Sequence, residues 1–172
     1  MKNWPITVIN NPIDCLTWRS IGKNNARTKQ GFELDQKIIL FSTSENINNF
    51  NKGFDLLIKS LGALKTINFK LLVIGALEKD NDSHLPFNAI FLGKIRDKDK
   101  LIELYSSADL VVIPSRQESL SIVAIEAITC SCPVVAYDNS GVTDVIKHMF
   151  NGYLAKAFDF DDFANGVDLI LQ

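Results

Sequence analysis

Five short runs in this chain are apolar at consecutive positions rather than at alternate ones. They are "KIILFST" (Lys37–Thr43), "FKLLVIG" (Phe69–Gly75), "NAIFLG" (Asn88–Gly93), "DLVVIP" (Asp109–Pro114) and "PVVAY" (Pro133–Tyr137). A strand with one wet face alternates apolar and polar residues. A strand that is apolar throughout must be covered on both faces. The covers are legible between these runs. "KGFDLLIKSLGAL" places Phe54, Leu57, Ile58 and Leu61 at helical spacing, and "DKDKLIELYSSA" does the same with Leu101, Ile102, Leu104 and Tyr105. A helix is expected from Ser119 to Thr129, a short one over "GVTDVIKHM", a short strand over "GYLA" and a closing helix over "DFDDFANGVDLILQ". Strands and helices in alternation predict a parallel sheet in a doubly wound α/β domain.

In such sheets ligands bind beyond the carboxyl ends of the strands, where the strand order reverses. The segments to inspect are therefore Ser42–Gly53, Gly75–Lys79, Gly93–Arg96, Pro114–Leu120 and Asp138–Thr143. The polar stretches Ser20–Gly31 and Glu78–Pro86 read as loops.

The 172 residues suit one domain, and a net charge of −2 gives no general attraction to nucleic acid or an anionic membrane. An anionic ligand would need a few local cations or backbone N–H groups. Cys15, Cys130 and Cys132 are too few for a disulfide framework. His84 and His148 stand in no zinc-type spacing with the Cys130-Ser131-Cys132 pair, so the thiols read as ordinary reduced ones in or near the core. No signal peptide is visible in "MKNWPITVINNPID", and no run reaches the roughly 20 apolar residues of a membrane span. A cytoplasmic location is expected.

Common nucleotide and hydrolase signatures are missing. The sequence contains no G-x-G-x-x-G, no Walker A motif and no G-x-S-x-G elbow. Attention falls on "PSRQESLSIVAIEAITCSCPVV" (Pro114–Val135), where Glu118 and Glu126 are separated by seven residues. Ser115-Arg116-Gln117-Glu118 matches a capping box, so Glu118 could cap the following helix or face the ligand crevice. Glu126 has Ile122, Val123, Thr129 and Cys130 as its helical neighbours, none of them charged. A buried carboxylate needs hydrogen-bond donors. These could be backbone N–H groups or the hydroxyls of a ligand. The N-terminus of that helix offers N–H groups to an anion. Lys52, before Gly53, is either a surface lysine or a cation at a strand-end loop.

The ordered set "VINNPID", "NKGFDLLIKSL", "LLVIG", "FLGKIRDKDKLIELYSSADLVVIPS", the Pro114–Val135 stretch and "DFDDFANGVDLIL" resembles the donor-binding region of retaining GT-B glycosyltransferases of family 4. It covers nearly the whole chain. The resemblance implies a Rossmann-like domain, the C-terminal half of a GT-B fold. Such enzymes transfer a sugar from a nucleotide diphosphate sugar to an acceptor, usually without an essential metal. Carried over, Glu118 lies at the donor sugar and its anomeric carbon, Glu126 on the ribose hydroxyls and Lys52 on the diphosphate. Leu120, Ser121 and Ile122 would bind phosphate through their backbone, and Lys94 and Ile95 would meet the base.

Several positions depart from the family pattern. Many members carry Gly-Arg after the first strand, where this chain has Ser42-Thr43, so the diphosphate contact falls to Lys52 without that second cation. Ser119 and Ser121 replace small glycines, Cys130-Ser131-Cys132-Pro133 replaces Cys-Gly-Thr-Pro, and Ser140-Gly141 replaces Gly-Gly. The expectation is one donor-binding domain over 1–172. Its N-terminal acceptor domain would lie outside this chain, and the half alone would bind nucleotide without turnover. Peripheral membrane association would come through that other domain, in polysaccharide or glycoconjugate synthesis. A non-catalytic nucleotide-sugar-binding or interaction module and a fragment of a GT-B epimerase are the competing functions.

Overall fold

The computed structural model describes residues 5, 7, 9, 11–66, 68–76 and 87–172. The polar stretch Glu78–Pro86, residues 77–79 of the segment after the second strand and parts of "VINNPID" lie outside the described residues. The strands are β1 (Lys37–Asn46), β2 (Phe69–Ala76), β3 (Ala89–Gly93), β4 (Leu110–Ile113), β5 (Val134–Tyr137) and β6 (Gly152–Ala155). The helices are α1 (Lys23–Gln30), α2 (Phe54–Gly62), α3 (Lys98–Ser107), α4 (Ile122–Thr129) and α5 (Phe160–Leu171).

All pairings between strands are parallel, and the order is β3-β2-β1-β4-β5-β6. The chain winds outward from β1 in one direction and from β4 in the other, so the switch falls between β1 and β4. Consecutive apolar residues serve two cores. Ile38, Leu40, Leu72, Val111, Val134 and Ala136 face α3 and α4, packing with Ile102, Tyr105, Ala124 and Ala127. Ile39, Phe41, Leu71, Val112, Val135 and Tyr137 face the other way, against Leu57 and Leu61 of α2 and Phe163, Val167 and Leu171 of α5. Both faces are thus dry, as continuous apolar strands require.

Three local expectations are corrected. Ser20–Gly31 is not a loop; it holds α1, closed by Gly31 in the left-handed region at φ 69°. Its anchor is polar and invisible to apolar periodicity. Buried Arg27 donates from Nε to the Ser107 carbonyl at 3.0 Å and pairs with Asp109 at 2.8 Å. The short helix expected over "GVTDVIKHM" is a 3-10 helix that begins one residue earlier and stops at Asp144 (Ser140–Asp144), and α4 starts at Ile122 rather than Ser119. Cys130 and Cys132 are buried free thiols, whereas Cys15 is exposed. Burial pushes the Cys130 thiol up to about 11. Among the described residues no helix is long and apolar enough to cross a membrane.

Candidate functional site

A cleft of about 130 Å³ opens at the carboxyl ends of β1 and β4, at the strand-order switch. Its walls are Phe41–Thr43 from β1, Val112, Ile113 and Ser115 from β4 and its loop, Lys52, Glu118 and residues 120–123. Five of the residues singled out from sequence therefore converge here: Lys52, Glu118, Leu120, Ser121 and Ile122.

Lys52 is delivered by a 3-10 turn, Phe50–Lys52, whose N-cap Asn49 accepts from the Asn51 N–H. Gly53 ends that turn at φ 67°, and a Cβ there would lie 2.0 Å from the Pro114 carbonyl oxygen. Only glycine lets this turn press against the loop after β4. The close approach serves the neighbouring backbone. The Arg116 N–H also donates to the Asn51 carbonyl at 2.8 Å, locking the two loops together. Lys52 Nζ consequently stands 3.1 Å from Glu118 Oε1.

Glu118 is not the cap of α4. Ser121 is the N-cap, its Oγ accepting from Ala124 N–H. Ser115 instead donates its hydroxyl to Glu118 Oε1 at 2.8 Å, so the S-x-x-E pattern builds a carboxylate site and not a capping box. The Glu118 backbone is held from below. Its N–H donates to Ser140 Oγ at 3.0 Å and its carbonyl accepts from Gly141 N–H at 2.8 Å. A side chain at Gly141 would collide with the Ser119 carbonyl, at 1.9 Å. Ser140 itself sits at φ 53°.

Glu126 lies one helical turn beyond the cleft, half-buried on α4. Its donor is neither a backbone N–H nor, in the first place, a ligand: the Tyr105 hydroxyl of α3 reaches Glu126 Oε2 at 3.1 Å. Burial pushes the Glu126 carboxyl above the usual glutamate value, and the Tyr105 bond partly offsets it. Glu126 also lines a second pocket with Asn11, Asp14, Trp18, Ile122 and Ile125. Sequence reasoning placed Tyr105 on a buried helix face and missed this contact. The available signal was a tyrosine on an apolar stripe, since a buried phenol seeks a hydrogen-bond partner. Ser115 was paired with Glu118 in sequence but as part of a helix cap, and Ser140, 22 residues away, was missed as a support of Glu118 for want of any local pattern.

Lys94 and Ile95 are not brought to this cleft. They follow β3, two strands away from β1; Lys94 is exposed and Ile95 packs against the α3 and α4 side of the core. Among the described residues, no three His, Cys, Asp or Glu side chains form a group able to hold a metal ion.

A doubly wound parallel sheet with a charged cleft at its switch point defines a Rossmann-like α/β ligand-binding domain. The glycosyl transferases group 1 family model matches residues 22–172, and the chain belongs to that family. An uncharacterised glycosyltransferase of Methanocaldococcus jannaschii is 35% identical over 165 residues, covering 91% of this chain and 41% of the relative. Anabaena HepE, solved in complex with UDP and glucose, superposes with a TM-score of 0.79 at 21% identity, covering 96% of this chain and 47% of that one. The C-terminal domain of a group 1 glycosyltransferase from Francisella tularensis gives a TM-score of 0.67 at 18% identity, covering 93% of this chain and 96% of that one. These last two likenesses show the fold, that of GT-B glycosyltransferases. The chain spans less than half the length of the curated relatives it matches.

Proposed function

We propose that this chain is the donor-binding domain of a retaining glycosyltransferase, which moves a sugar from a nucleotide diphosphate sugar to an acceptor in polysaccharide or glycoconjugate synthesis. The observation that carries this reading is the Lys52–Glu118 pair at 3.1 Å, set in the switch-point cleft beside the first turn of α4. The HepE complex with UDP and glucose supports the choice of ligand class.

In this reading the donor diphosphate meets Lys52 and the backbone of Leu120, Ser121 and Ile122. A helix N-terminus offers N–H groups to an anion. As the nucleoside diphosphate departs, negative charge grows on its phosphate oxygens. A fixed ammonium and fixed N–H groups stabilise that charge more in the transition state than before it. They do the work that a divalent ion does elsewhere, and no cofactor is invoked. Glu118 addresses the donor sugar near its anomeric carbon, Glu126 the ribose hydroxyls, and the Lys94–Ile95 segment the base. The two carboxylates thus serve different parts of one donor, unlike the glycosidase pair that flanks a single bond. The acceptor site would belong to a further domain, through which the enzyme would associate peripherally with the inner face of the membrane.

A second reading is favoured by one observation. Among the described residues that line the cleft, Lys52 is the sole cation, with Ser42 and Thr43 on the β1 side. A non-catalytic nucleotide-sugar-binding module would need no more than this. Calorimetric titration of the chain with UDP, GDP, ADP and their sugars tests both readings. Micromolar binding of one nucleotide, weakened about tenfold or more in Lys52→Ala, is the expected outcome. Failure of every nucleotide to bind would sink the donor assignment. Sugar transfer by the enzyme that carries this domain, lost in Glu118→Gln, separates the catalytic reading from the binding module.

A further inference from the structure

We propose that Tyr105 is a positioning residue of the donor site, fixing the Glu126 carboxylate and tying it to Ser42 on the wall of the Lys52–Glu118 cleft. The inference rests on the donor-binding reading above and adds to it a link between two subsites. Tyr105 is 1% exposed, and its ring lies 6.2 Å from that of Trp18. Its hydroxyl has Glu126 Oε2 at 3.1 Å and Ser42 Oγ at 3.4 Å. One hydrogen cannot serve both. An ionised carboxylate only accepts, so the phenol donates to Glu126 and leaves its oxygen to accept from the Ser42 hydroxyl.

The position of this link gives it a use. Ser42 lines the cleft that holds Lys52 and Glu118. Glu126 lines the second pocket, and Ile122 belongs to both. A nucleoside diphosphate laid across Ile122 would put its phosphates on the Ser42 side and its ribose on the Glu126 side. Tyr105 joins the two walls beneath the ligand. A phenylalanine would fill the same apolar space, so the hydroxyl is the informative group.

Among the described residues, three titratable groups bear on Glu126. Tyr105 reaches it from α3, Asp14 shares its pocket from the segment before α1, and Cys130 follows it by one turn on α4. Of these, the Tyr105 bond favours the charged carboxylate. Removing the hydroxyl therefore raises the pH at which Glu126 ionises.

The test is Tyr105→Phe in this chain, with two readouts. Side-chain carboxyl NMR, with Glu126→Gln to assign the signal, should show Glu126 titrating at higher pH in the variant. Affinity for whichever of UDP, GDP and ADP binds the unaltered chain should fall by about tenfold, as for loss of a hydrogen bond to a charged group. The pH below which affinity declines should rise with it. Ser42→Ala should move the carboxyl titration in the same direction but less, and add nothing in the Tyr105→Phe background. A purely packing role for Tyr105 predicts an unmoved Glu126 titration beside intact binding, and that result would overturn this inference alone. Absence of nucleotide binding by the unaltered chain would instead overturn the donor reading beneath it.

Discussion

Lys52 Nζ lies 3.1 Å from Glu118 Oε1, and the contact joins the turn after β1 to the loop after β4 across the strand-order switch. Both side chains are largely withdrawn from water, at 22% and 14% exposure. Glu118 also accepts from Ser115, so its carboxylate is held from two sides. A diphosphate entering the cleft would compete with Glu118 for the ammonium.

That competition makes the two residues separable. Lys52→Ala should weaken nucleoside diphosphate binding by about tenfold or more, since a charge-assisted contact is lost. Glu118→Gln releases the ammonium, so nucleotide affinity should hold or tighten. Turnover in the enzyme carrying this domain should meanwhile drop by about a hundredfold or more. Calorimetry and kcat measurements check the pair. Weaker donor binding with an unchanged kcat in Glu118→Gln would point to uniform binding instead.

Gly53→Ala should be costly where an ordinary helical glycine is not. Gly53 combines φ 67° with a Cβ position 2.0 Å from a backbone oxygen. The substitution should destabilise the fold by more than about 1 kcal/mol and weaken nucleotide binding, because the turn carrying Lys52 must move. Gly62, with nothing within 4 Å of its Cβ position, is the control. There alanine should be neutral or stabilising by up to about 1 kcal/mol through helix propensity. Urea denaturation of the two variants distinguishes them.

Glu126 sets a pH dependence of stability. Burial raises its carboxyl above the ordinary value of 4.5 in the fold. Between the unfolded and the folded value the native state binds more proton, so stability falls as pH rises through that window. Glu126→Gln should therefore be more stable at neutral pH and should lose that slope. Glu126→Ala should weaken nucleotide binding. Denaturant midpoints from pH 4 to 8 and calorimetry are the measurements, and unchanged affinity in an intact Glu126→Ala fold would defeat the ribose assignment.

Asp168 works in the opposite direction. Burial in α5 pushes its carboxyl up, but the bonds it accepts from Lys65 and Thr66 N–H, both at 2.9 Å, outweigh this and hold it below the ordinary value of 3.8. Its contribution is present above that value and is lost as pH falls through the lowered one. Asp168→Ala leaves two backbone donors without their acceptor and should cost about 2 kcal/mol at neutral pH. The deficit should shrink in acid, as thermal unfolding at pH 7 and pH 3 would show.

Much of this fold was legible because its signals are local. Each strand read from an apolar run is present within a few residues, and the two cores follow from alternation along β1. Lys52 and Glu118 were expected here from their strand-end loops, and Leu120, Ser121 and Ile122 from the family resemblance. Lys94 and Ile95 are also at a strand end, but β3 lies at the far edge of the sheet, and a motif does not state strand order. Helix α1 escaped notice because Arg27 and Asp109 anchor it, 82 residues apart in sequence. A polar anchor of that reach has no periodicity.

The sequence by itself determined the class of fold, since strands apolar on both sides can be buried in few other ways. It also put Lys52 and Glu118 in loops at strand ends, where ligands of such sheets bind. Only the tertiary structure decided what those residues touch. Ser115-x-x-Glu118 fits a helix cap and a carboxylate site equally well, and the approach of Lys52, permitted by Gly53, selects the second. Glu126 needed a donor, and α3 supplied the Tyr105 hydroxyl before any ligand could. The physical reason is the same in both cases. A buried polar group requires a partner, but residue spacing names partners only within its own helix or turn.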